Sequence, residues 1–163
     1  MRPAASKIMA LEDAVAWRDG LAREGRRLAV TNGCFDLLHR GHAEYLAVAR
    51  QQADALLVLL NADRSVQSLK GKLRPIVAEA DRAMLLAALE AVDAVVLFAT
   101  PRCTGQLSGL RPDVYVKGGD YSLATIDREE REALQAIGAR FAFIPFLPGF
   151  STTDLIERIR RLG

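Results

Sequence analysis

Five short hydrophobic runs, none of which alternates with polar residues, constrain the fold of this 163-residue chain most strongly. Alternation is typical of a strand with one face in water, whereas a continuous hydrophobic run is typical of a strand covered on both faces. Segments with helical periodicity separate the runs, so consecutive strands are expected to run parallel and to be joined by crossover helices. The predicted strands are residues 28–31, 55–60, 94–98, 114–116 and 140–144.

Helices between these strands complete a doubly wound, five-stranded parallel sheet in a three-layer, Rossmann-like α/β/α sandwich. The predicted helices are residues 11–24, 42–51, 79–91, 104–110, 127–137 and 152–162. The length and a hydrophobic content of 50% fit one domain, residues 1–163, with residues 1–27 as an N-terminal helical extension. Residues 62–77 form the longest polar connection and are predicted to be a mobile loop.

Charge and cysteine content exclude several classes of protein. The net charge is only +2, with both signs interspersed, which argues against nucleic acid as a partner. No segment reaches the roughly 18 continuous apolar residues that a membrane span requires, so no membrane association is expected. Cys34 and Cys103 lack metal-ligand spacing and are interpreted as free thiols, which favours a cytoplasmic location.

Both histidines of the chain lie in one four-residue stretch, His39-Arg-Gly-His42, where the first strand gives way to a helix. The first N–H groups of a helix lack internal partners and the helix dipole is positive there, so this junction favours phosphate. Gly41 is expected to let a phosphate approach the backbone. Two imidazoles could then donate hydrogen bonds to a phosphate whose charge grows as a leaving group departs. Two surface histidines are the alternative, and a zinc site lacks further ligands.

Polar residues after later strands provide further candidates. Lys117-Gly-Gly-Asp120-Tyr121 follows the fourth strand, although it also fits an ordinary turn. Ser151-Thr152-Thr153-Asp154 fits a capping box at the start of the last helix, and its hydroxyl and N–H groups could also bind phosphates.

The predicted loop carries Lys70, Lys72 and Arg74, which could close over a triphosphate or simply be solvated. Asn61 and Asp63 directly follow the second strand, where an open α/β sheet binds ligands, but both residue types are also common in turns. On the following helix, Arg82 and Met84 are interpreted as surface and core respectively.

The segment from Thr31 to His42 resembles the H-x-G-H signature of the nucleotidyltransferase superfamily, which includes cytidylyltransferases and pantetheine-phosphate adenylyltransferases. Residues 69–75, 89–93, 117–121 and 149–153 occur in the order and spacing of one subfamily, the D-glycero-β-D-manno-heptose 1-phosphate adenylyltransferases, a resemblance that covers roughly residues 10–160. It implies transfer of AMP from ATP to heptose 1-phosphate, giving ADP-heptose for lipopolysaccharide core synthesis. It further implies Mg²⁺, a homodimer and a separate sugar kinase.

The resemblance also implies roles for individual residues. The catalytic candidates are His39, His42 and Lys70. The nucleotide-binding candidates are Asn32, Gly33, Phe35, Gly41, Lys117, Gly119, Ser151, Thr152 and Thr153. The candidates for binding the sugar phosphate are Asp36, Asn61, Asp63, Arg74, Asp120 and Tyr121, with Asp36 also a candidate for orienting a lysine or the metal.

One departure from the family is the segment before Ser151. Related cytidylyltransferases carry a basic residue there, whereas this chain has Pro148-Gly149-Phe150, so the cation is expected to come from elsewhere or from Mg²⁺. Two other functions stay open from the sequence. One is a CTP-dependent cytidylyltransferase acting on glycerol 3-phosphate or another alcohol phosphate, and the other is a non-catalytic nucleotide-binding module.

Overall fold

A computed structural model describes residues 2–119, 121–145 and 147–162. Its five strands are β1 (Leu28–Gly33), β2 (Ala55–Asn61), β3 (Ala94–Phe98), β4 (Val114–Gly118) and β5 (Arg140–Ile144). They form one parallel sheet in the order β3-β2-β1-β4-β5. The helices are α1 (Leu11–Arg23), α2 (Arg40–Arg50), α3 (Asp63–Lys70), α4 (Glu79–Ala88), α5 (Thr104–Leu110), α6 (Arg128–Ala136) and α7 (Thr152–Arg160). The predicted fold class is therefore confirmed.

Two hydrophobic clusters, one on each face of the sheet, explain why the strand sequences do not alternate. All seven residues of β2 are buried. Leu56, Val58 and Leu60 belong to the cluster that includes α2 and α4, whereas Leu57 and Leu59 belong to the cluster that includes α5 and α6. Because each fully buried leucine contributes roughly 1.5–3 kcal/mol, both faces of the central strands must be covered by helices.

The two edges of the sheet differ. At the β3 edge, Ile8 forms a parallel bridge to Val95, and the Met9 N–H donates to the Val95 carbonyl at 3.0 Å. At the β5 edge, Arg140 and Phe143 are exposed, and only Ala142 and Ile144 of the strand are buried. The prediction that residues 140–144 are covered on both faces is therefore wrong, because an edge strand has fewer neighbours than a central one.

The sequence suggested that residues 62–77 form a continuous loop, but the structure shows a helix within them. Residues 63–70 form α3, and only Ala62 and residues 71–78 of the connection between β2 and α4 lie outside a helix or strand. Ser65 and Val66 are the only buried residues of α3, so the segment has too few apolar residues to be recognised as a packed helix from its sequence. The mobility of this segment stays a prediction. In the described part of the chain, no helix has both the length and the apolar character that a membrane crossing needs.

Candidate functional site

Most of the predicted site residues meet above the carboxyl ends of β1 and β4. The chain builds β1, β2 and β3 in one direction from the centre and then returns to place β4 on the other side of β1. The carboxyl ends of β1 and β4 thus lie where the strand order reverses, which is where open α/β sheets bind ligands. The amino termini of α2 and α7 face the same place, as the contacts of Phe150 described below establish.

The two histidines form a stacked pair. Their ring centroids are 3.8 Å apart with 19° between the ring planes, and the Phe35 ring lies 5.2 Å from that of His42. His39 is the N-cap residue of α2 in an extended conformation, but its side chain makes no capping hydrogen bond. The Nδ1 atoms of both imidazoles are buried without a hydrogen-bond partner among the described residues. Buried polar atoms are normally paired, so this pair is suited to receive a ligand.

Burial also controls the charge of the pair. It lowers the pKa of His39. It also lowers the pKa of His42 to about 4, and the nearby charges of His39 and Lys70 lower it further by smaller amounts. The Leu37 backbone acts in the opposite direction. Both imidazoles are therefore neutral near pH 7, and a phosphate placed beside them would favour their protonated forms.

The start of α2 offers free backbone donors beside the histidines. The N–H groups of His42 and Ala43 donate to the His39 carbonyl, but those of Arg40 and Gly41 have no acceptor within the described ranges. A Cβ added at Gly41 would lie 3.0 Å from both His39 Nδ1 and Phe150 Cβ. The space at Gly41 is thus filled by these two side chains rather than left for a phosphate, and the glycine allows the His39 ring to pack against the helix.

The amino terminus of α7 reaches the same place through Phe150. The Phe150 and His39 ring centroids are 6.4 Å apart, and the Arg40 guanidinium lies 5.7 Å from the Phe150 centroid. Ser151 caps α7 by accepting a hydrogen bond from the Asp154 N–H at 3.0 Å, and Thr152 and Thr153 follow in the first turn. Two helix amino termini therefore converge on the histidine pair, and Arg40 brings a cation to the segment that lacks the family's basic residue.

Asn32 and Lys117 join the carboxyl ends of β1 and β4. Lys117 Nζ donates to Asn32 Oδ1 at 2.8 Å and lies 4.6 Å from the centroid of the Tyr121 ring, which is exposed. Burial lowers the pKa of Lys117, although the carboxyl group of Glu130 opposes the shift. Gly119, at φ +89°, donates its N–H to the Ile144 carbonyl. Asp120, a predicted substrate-binding residue, lies outside the described residues.

Asp36 anchors the segment that follows α3. Its carboxylate accepts hydrogen bonds from Arg74 Nε and from the N–H groups of Ile76 and Val77. Burial alone would raise the pKa of Asp36, but these hydrogen bonds, with that of Val77 the largest, hold it below its ordinary value. Asp36 thus orients an arginine in this structure, where the sequence suggested a lysine or a metal. Ligand binding by Asp36 and Arg74 stays a prediction.

Other predicted residues surround this centre. Lys70 is the last residue of α3 and is exposed. Its charge acts to lower the pKa of His42 and of Cys34, although burial raises the pKa of Cys34. Gly33 leaves room for Phe35, since an added Cβ would lie 2.9 Å from the Phe35 ring. Phe35 itself adopts a left-handed conformation, at φ +46°. Such a conformation costs of order 1–3 kcal/mol and is a form of strain found at functional sites.

Asn61 and Asp63 make internal contacts. Asn61 Nδ2 donates to Ser65 Oγ at 2.9 Å, and Asp63 Oδ1 accepts from Arg82 Nη2 at 2.7 Å. Their predicted contact with a substrate is therefore not tested by the structure, and their side chains already have partners.

Arg82 is the residue that sequence reasoning missed. Its side chain is fully buried, and it donates to the carbonyls of Cys34, Asn61 and Val77 as well as to Asp63. It therefore ties the β1–α2 loop to the end of β2, while Met84 is 44% exposed. The interpretation of Arg82 as surface and Met84 as core is wrong. The available signal was position, because Arg82 lies four residues before buried Leu86 and beside buried Ala83.

A cavity of about 970 Å³ lies away from these residues, beyond the amino ends of the strands. Four of its charged side chains form two pairs, Arg111 with Asp19 at 2.6 Å and Arg18 with Asp113 at 3.0 Å. This cavity is therefore separate from the place where the unpartnered imidazole nitrogens lie.

Comparisons with known proteins find a matching family model and several similar proteins. Residues 30–158 match a family model described as cytidylyltransferase-like. The bifunctional protein HldE of Koribacter versatilis is 48% identical over 148 residues, which cover 91% of this chain and 29% of that protein. The bifunctional protein HldE of Methylobacillus flagellatus is 44% identical over 156 residues, covering 95% and 31%. The chain thus spans less than a third of the length of these curated relatives.

A solved structure is similar as well. The lipopolysaccharide core biosynthesis protein from Thermoplasma volcanium superposes with a TM-score of 0.61 at 27% identity, covering 76% of this chain and 98% of that one. The match to the family model runs from β1 into α7 and so includes both histidines and the Ser151–Thr153 segment.

Proposed function

The chain belongs to the cytidylyltransferase-like family of nucleotidyltransferases, and we propose that it transfers AMP from ATP to D-glycero-β-D-manno-heptose 1-phosphate, releasing pyrophosphate. The observation that carries the proposal is the stacked, neutral pair of His39 and His42 at the amino terminus of α2, with both Nδ1 atoms unpartnered among the described residues. The choice of sugar rests on the motifs at residues 69–75 and 117–121 and on the relatives named HldE and lipopolysaccharide core biosynthesis protein.

The reaction is an in-line displacement at the α-phosphorus of ATP. An oxygen of the sugar's 1-phosphate forms the new bond, and the bond from the α-phosphorus to the oxygen that bridges it to the β-phosphorus breaks. The attacking phosphate is already ionised near pH 7, so no protein nucleophile is needed. Positioning and charge stabilisation then provide most of the rate acceleration.

In this mechanism the protein holds polyphosphate between two helix amino termini. The imidazoles of His39 and His42 and the free N–H groups of Arg40 and Gly41 donate to the phosphate oxygens on which charge develops. Ser151, Thr152 and Thr153 bind the departing pyrophosphate from α7, with Arg40 and Lys70 as the nearby cations. Lys117 and Asn32 hold the nucleotide at the carboxyl ends of β4 and β1.

Magnesium enters as part of the substrate, MgATP, in this proposal. Two carboxylates beside the site are engaged, Asp36 with three donors and Asp63 with Arg82. Within the described residues there is no group of three His, Cys, Asp or Glu side chains placed to hold a metal. Phosphate oxygens are therefore the ligands expected for Mg²⁺, which commonly keeps several waters and one or two carboxylates besides.

A pyrophosphate-release assay tests the proposal. ATP, CTP and GTP are each supplied with heptose 1-phosphate, and CTP also with glycerol 3-phosphate. Pyrophosphate formed only from ATP and heptose 1-phosphate supports it. Release from CTP and glycerol 3-phosphate would establish the cytidylyltransferase alternative instead. ATP binding without any pyrophosphate would identify a non-catalytic nucleotide-binding module.

The proposal extends to partners. A sugar 1-phosphate must be supplied by a kinase activity, and we place the enzyme in the cytoplasm. A homodimer is supported by the open β5 edge and by exposed Ile159 and Leu162 near the end of the chain. Light scattering on the purified protein gives the oligomeric state, and a monomer at micromolar concentration would contradict the dimer.

A further inference from the structure

A buried polar network lies beneath Asn32 and Lys117, on the face of the sheet opposite α2. Tyr115 is fully buried on β4, and its hydroxyl lies 2.9 Å from Asn32 Oδ1 and 3.2 Å from Glu130 Oε2. Glu130, on α6, is only 6% exposed. Its other carboxylate oxygen accepts from the N–H and Sγ of Cys103 at 3.3 and 3.4 Å. The network therefore runs from Cys103, which precedes α5, to Asn32 at the carboxyl end of β1.

The burial of the Glu130 carboxyl group requires a physical explanation. Burying a polar group costs free energy unless it is hydrogen-bonded, and an apolar side chain would fill the same space at lower cost. Glu130 forms no direct ion pair within the described residues, because Lys117, whose charge it stabilises, donates to Asn32 rather than to the carboxylate. One oxygen of the Glu130 carboxylate contacts Cys103 and the other contacts the Tyr115 hydroxyl, which in turn contacts Asn32.

We propose that Glu130 and Tyr115 are positioning residues, which hold Asn32 and Lys117 in the orientation that binds the nucleotide. The Tyr115 hydroxyl and Lys117 Nζ both lie within hydrogen-bond distance of Asn32 Oδ1, so two neighbours fix the amide plane, and Asn32 Nδ2 has no acceptor among the described residues. Lys117 is held in turn by Asn32 and by the rings of Tyr115 and Tyr121, at 5.5 and 4.6 Å. This assignment rests on the proposed function.

The proton count of the network sharpens the assignment. The Tyr115 hydroxyl has one proton, so it can donate to only one of its two acceptors at a time. A glutamine at position 130 could donate its amide N–H to the Tyr115 oxygen and accept from the Cys103 N–H. Tyr115 would then donate to Asn32 permanently. Glu130→Gln is therefore expected to preserve the positioning. Glu130→Ala instead removes one of the two contacts of the Tyr115 hydroxyl and opens a space beside it, so the hydroxyl is no longer held against Asn32.

Tyr45 provides a matched control for the removal of the Tyr115 hydroxyl. Its hydroxyl lies on the other face of the same two strands, 2.6 Å from Thr31 Oγ1 and 3.3 Å from the Val116 carbonyl. These partners are one residue before Asn32 and Lys117. Tyr45→Phe and Tyr115→Phe thus each remove one tyrosine hydroxyl that bonds β1 and β4, but only the second touches a nucleotide-binding candidate.

The experiment measures the Kd of MgATP by calorimetry, and kcat and KM by pyrophosphate release, for the wild type, Tyr45→Phe, Tyr115→Phe, Glu130→Gln and Glu130→Ala. Tyr115→Phe is expected to raise the Kd and KM for ATP about three- to tenfold with kcat within about twofold, since one hydrogen bond contributes a factor of this order. Tyr45→Phe and Glu130→Gln should keep the wild-type Kd. Glu130→Ala should resemble Tyr115→Phe.

The outcomes separate positioning from simple destabilisation. A variant that only unfolds more easily lowers the active fraction, so the apparent kcat falls while KM and Kd stay constant. That result for Tyr115→Phe, or equal Kd values for Tyr115→Phe and Tyr45→Phe, overturns the assignment while leaving the proposed function intact. A wild-type protein that binds no nucleotide overturns the proposed function, and the assignment with it.

Discussion

The amino termini of α2 and α6 are the same structural feature put to opposite uses. At α6, Asp127 caps the helix by accepting from the N–H groups of Glu129 and Glu130, and these two acidic residues complement the helix dipole. At α2, His39 makes no capping hydrogen bond, the first turn has no acidic residue, and two N–H groups lack acceptors in the described structure. A helix start whose own side chains satisfy it has no free N–H groups for a ligand, whereas one left unsatisfied is available to an anion.

His42→Ala is the most direct test of the functional role of the α2 terminus. The variant removes one donor to the developing charge, and we expect kcat to fall about a hundredfold or more, with little change in folding. Steady-state pyrophosphate release and thermal unfolding measure the two effects. Glu129→Ala in the first turn of α6, a residue that is largely exposed, is the control and should keep the wild-type kcat. Unchanged turnover in His42→Ala would remove His42 from the mechanism.

Gly41→Ala tests the packing that orients His39. Alanine usually stabilises a helix by up to about 1 kcal/mol relative to glycine. At Gly41 the added Cβ would lie 3.0 Å from His39 Nδ1 and Phe150 Cβ. We therefore expect the His39 ring to move and kcat to fall about tenfold. Gly105→Ala in α5, where nothing lies within 4 Å of the added Cβ, should be stabilising and fully active. Equal behaviour of the two variants would show that the contact at Gly41 is unimportant.

The pH dependence of stability follows from the buried imidazole. The pKa of His42 is about 4 in the folded protein and near 6.5 when unfolded, so the unfolded state binds more protons between these values. Stability is thus full above pH 6.5 and falls as the pH drops towards 4, by about 1–2 kcal/mol after allowing for partial exposure. His42→Asn should flatten this slope in denaturant titrations at about pH 7 and about pH 4.5. Asp36, with a pKa below its ordinary value, titrates below this window.

Asp127→Ala is expected to have the smallest effect on function. Loss of the cap should cost about 1 kcal/mol of unfolding free energy, with kcat and KM unchanged. Denaturant unfolding and the pyrophosphate assay measure both quantities. The control Asp127→Ser keeps a side-chain oxygen that can cap the helix, so it should recover most of the stability. A large loss of turnover in Asp127→Ala would mean that the α6 terminus is functional as well.

Much of the arrangement of the candidate site was predictable because its residues are close in sequence. His39, Gly41 and His42 share one turn, and the strand before them could be recognised from hydrophobicity alone. The pairing of Asp36 with Arg74 was not predictable, because both were assigned to the substrate and nothing local indicates that they bind each other. Likewise, the sequence gives no sign that Arg82 donates to the carbonyls of three separate segments, because a charged helix residue is ordinarily exposed.

The amino-acid sequence by itself determined the five strands, six of the seven α-helices of the described residues and the strand-to-helix turn after β1 that carries both histidines, since each depends on the periodicity or chemistry of neighbouring residues. Only the tertiary structure decided that β5 is an open edge, that residues 63–70 are helical, and that Phe150, far along the chain, packs on Gly41. These features depend on which distant segment covers a residue, and burial by a distant segment leaves no local pattern in the chain.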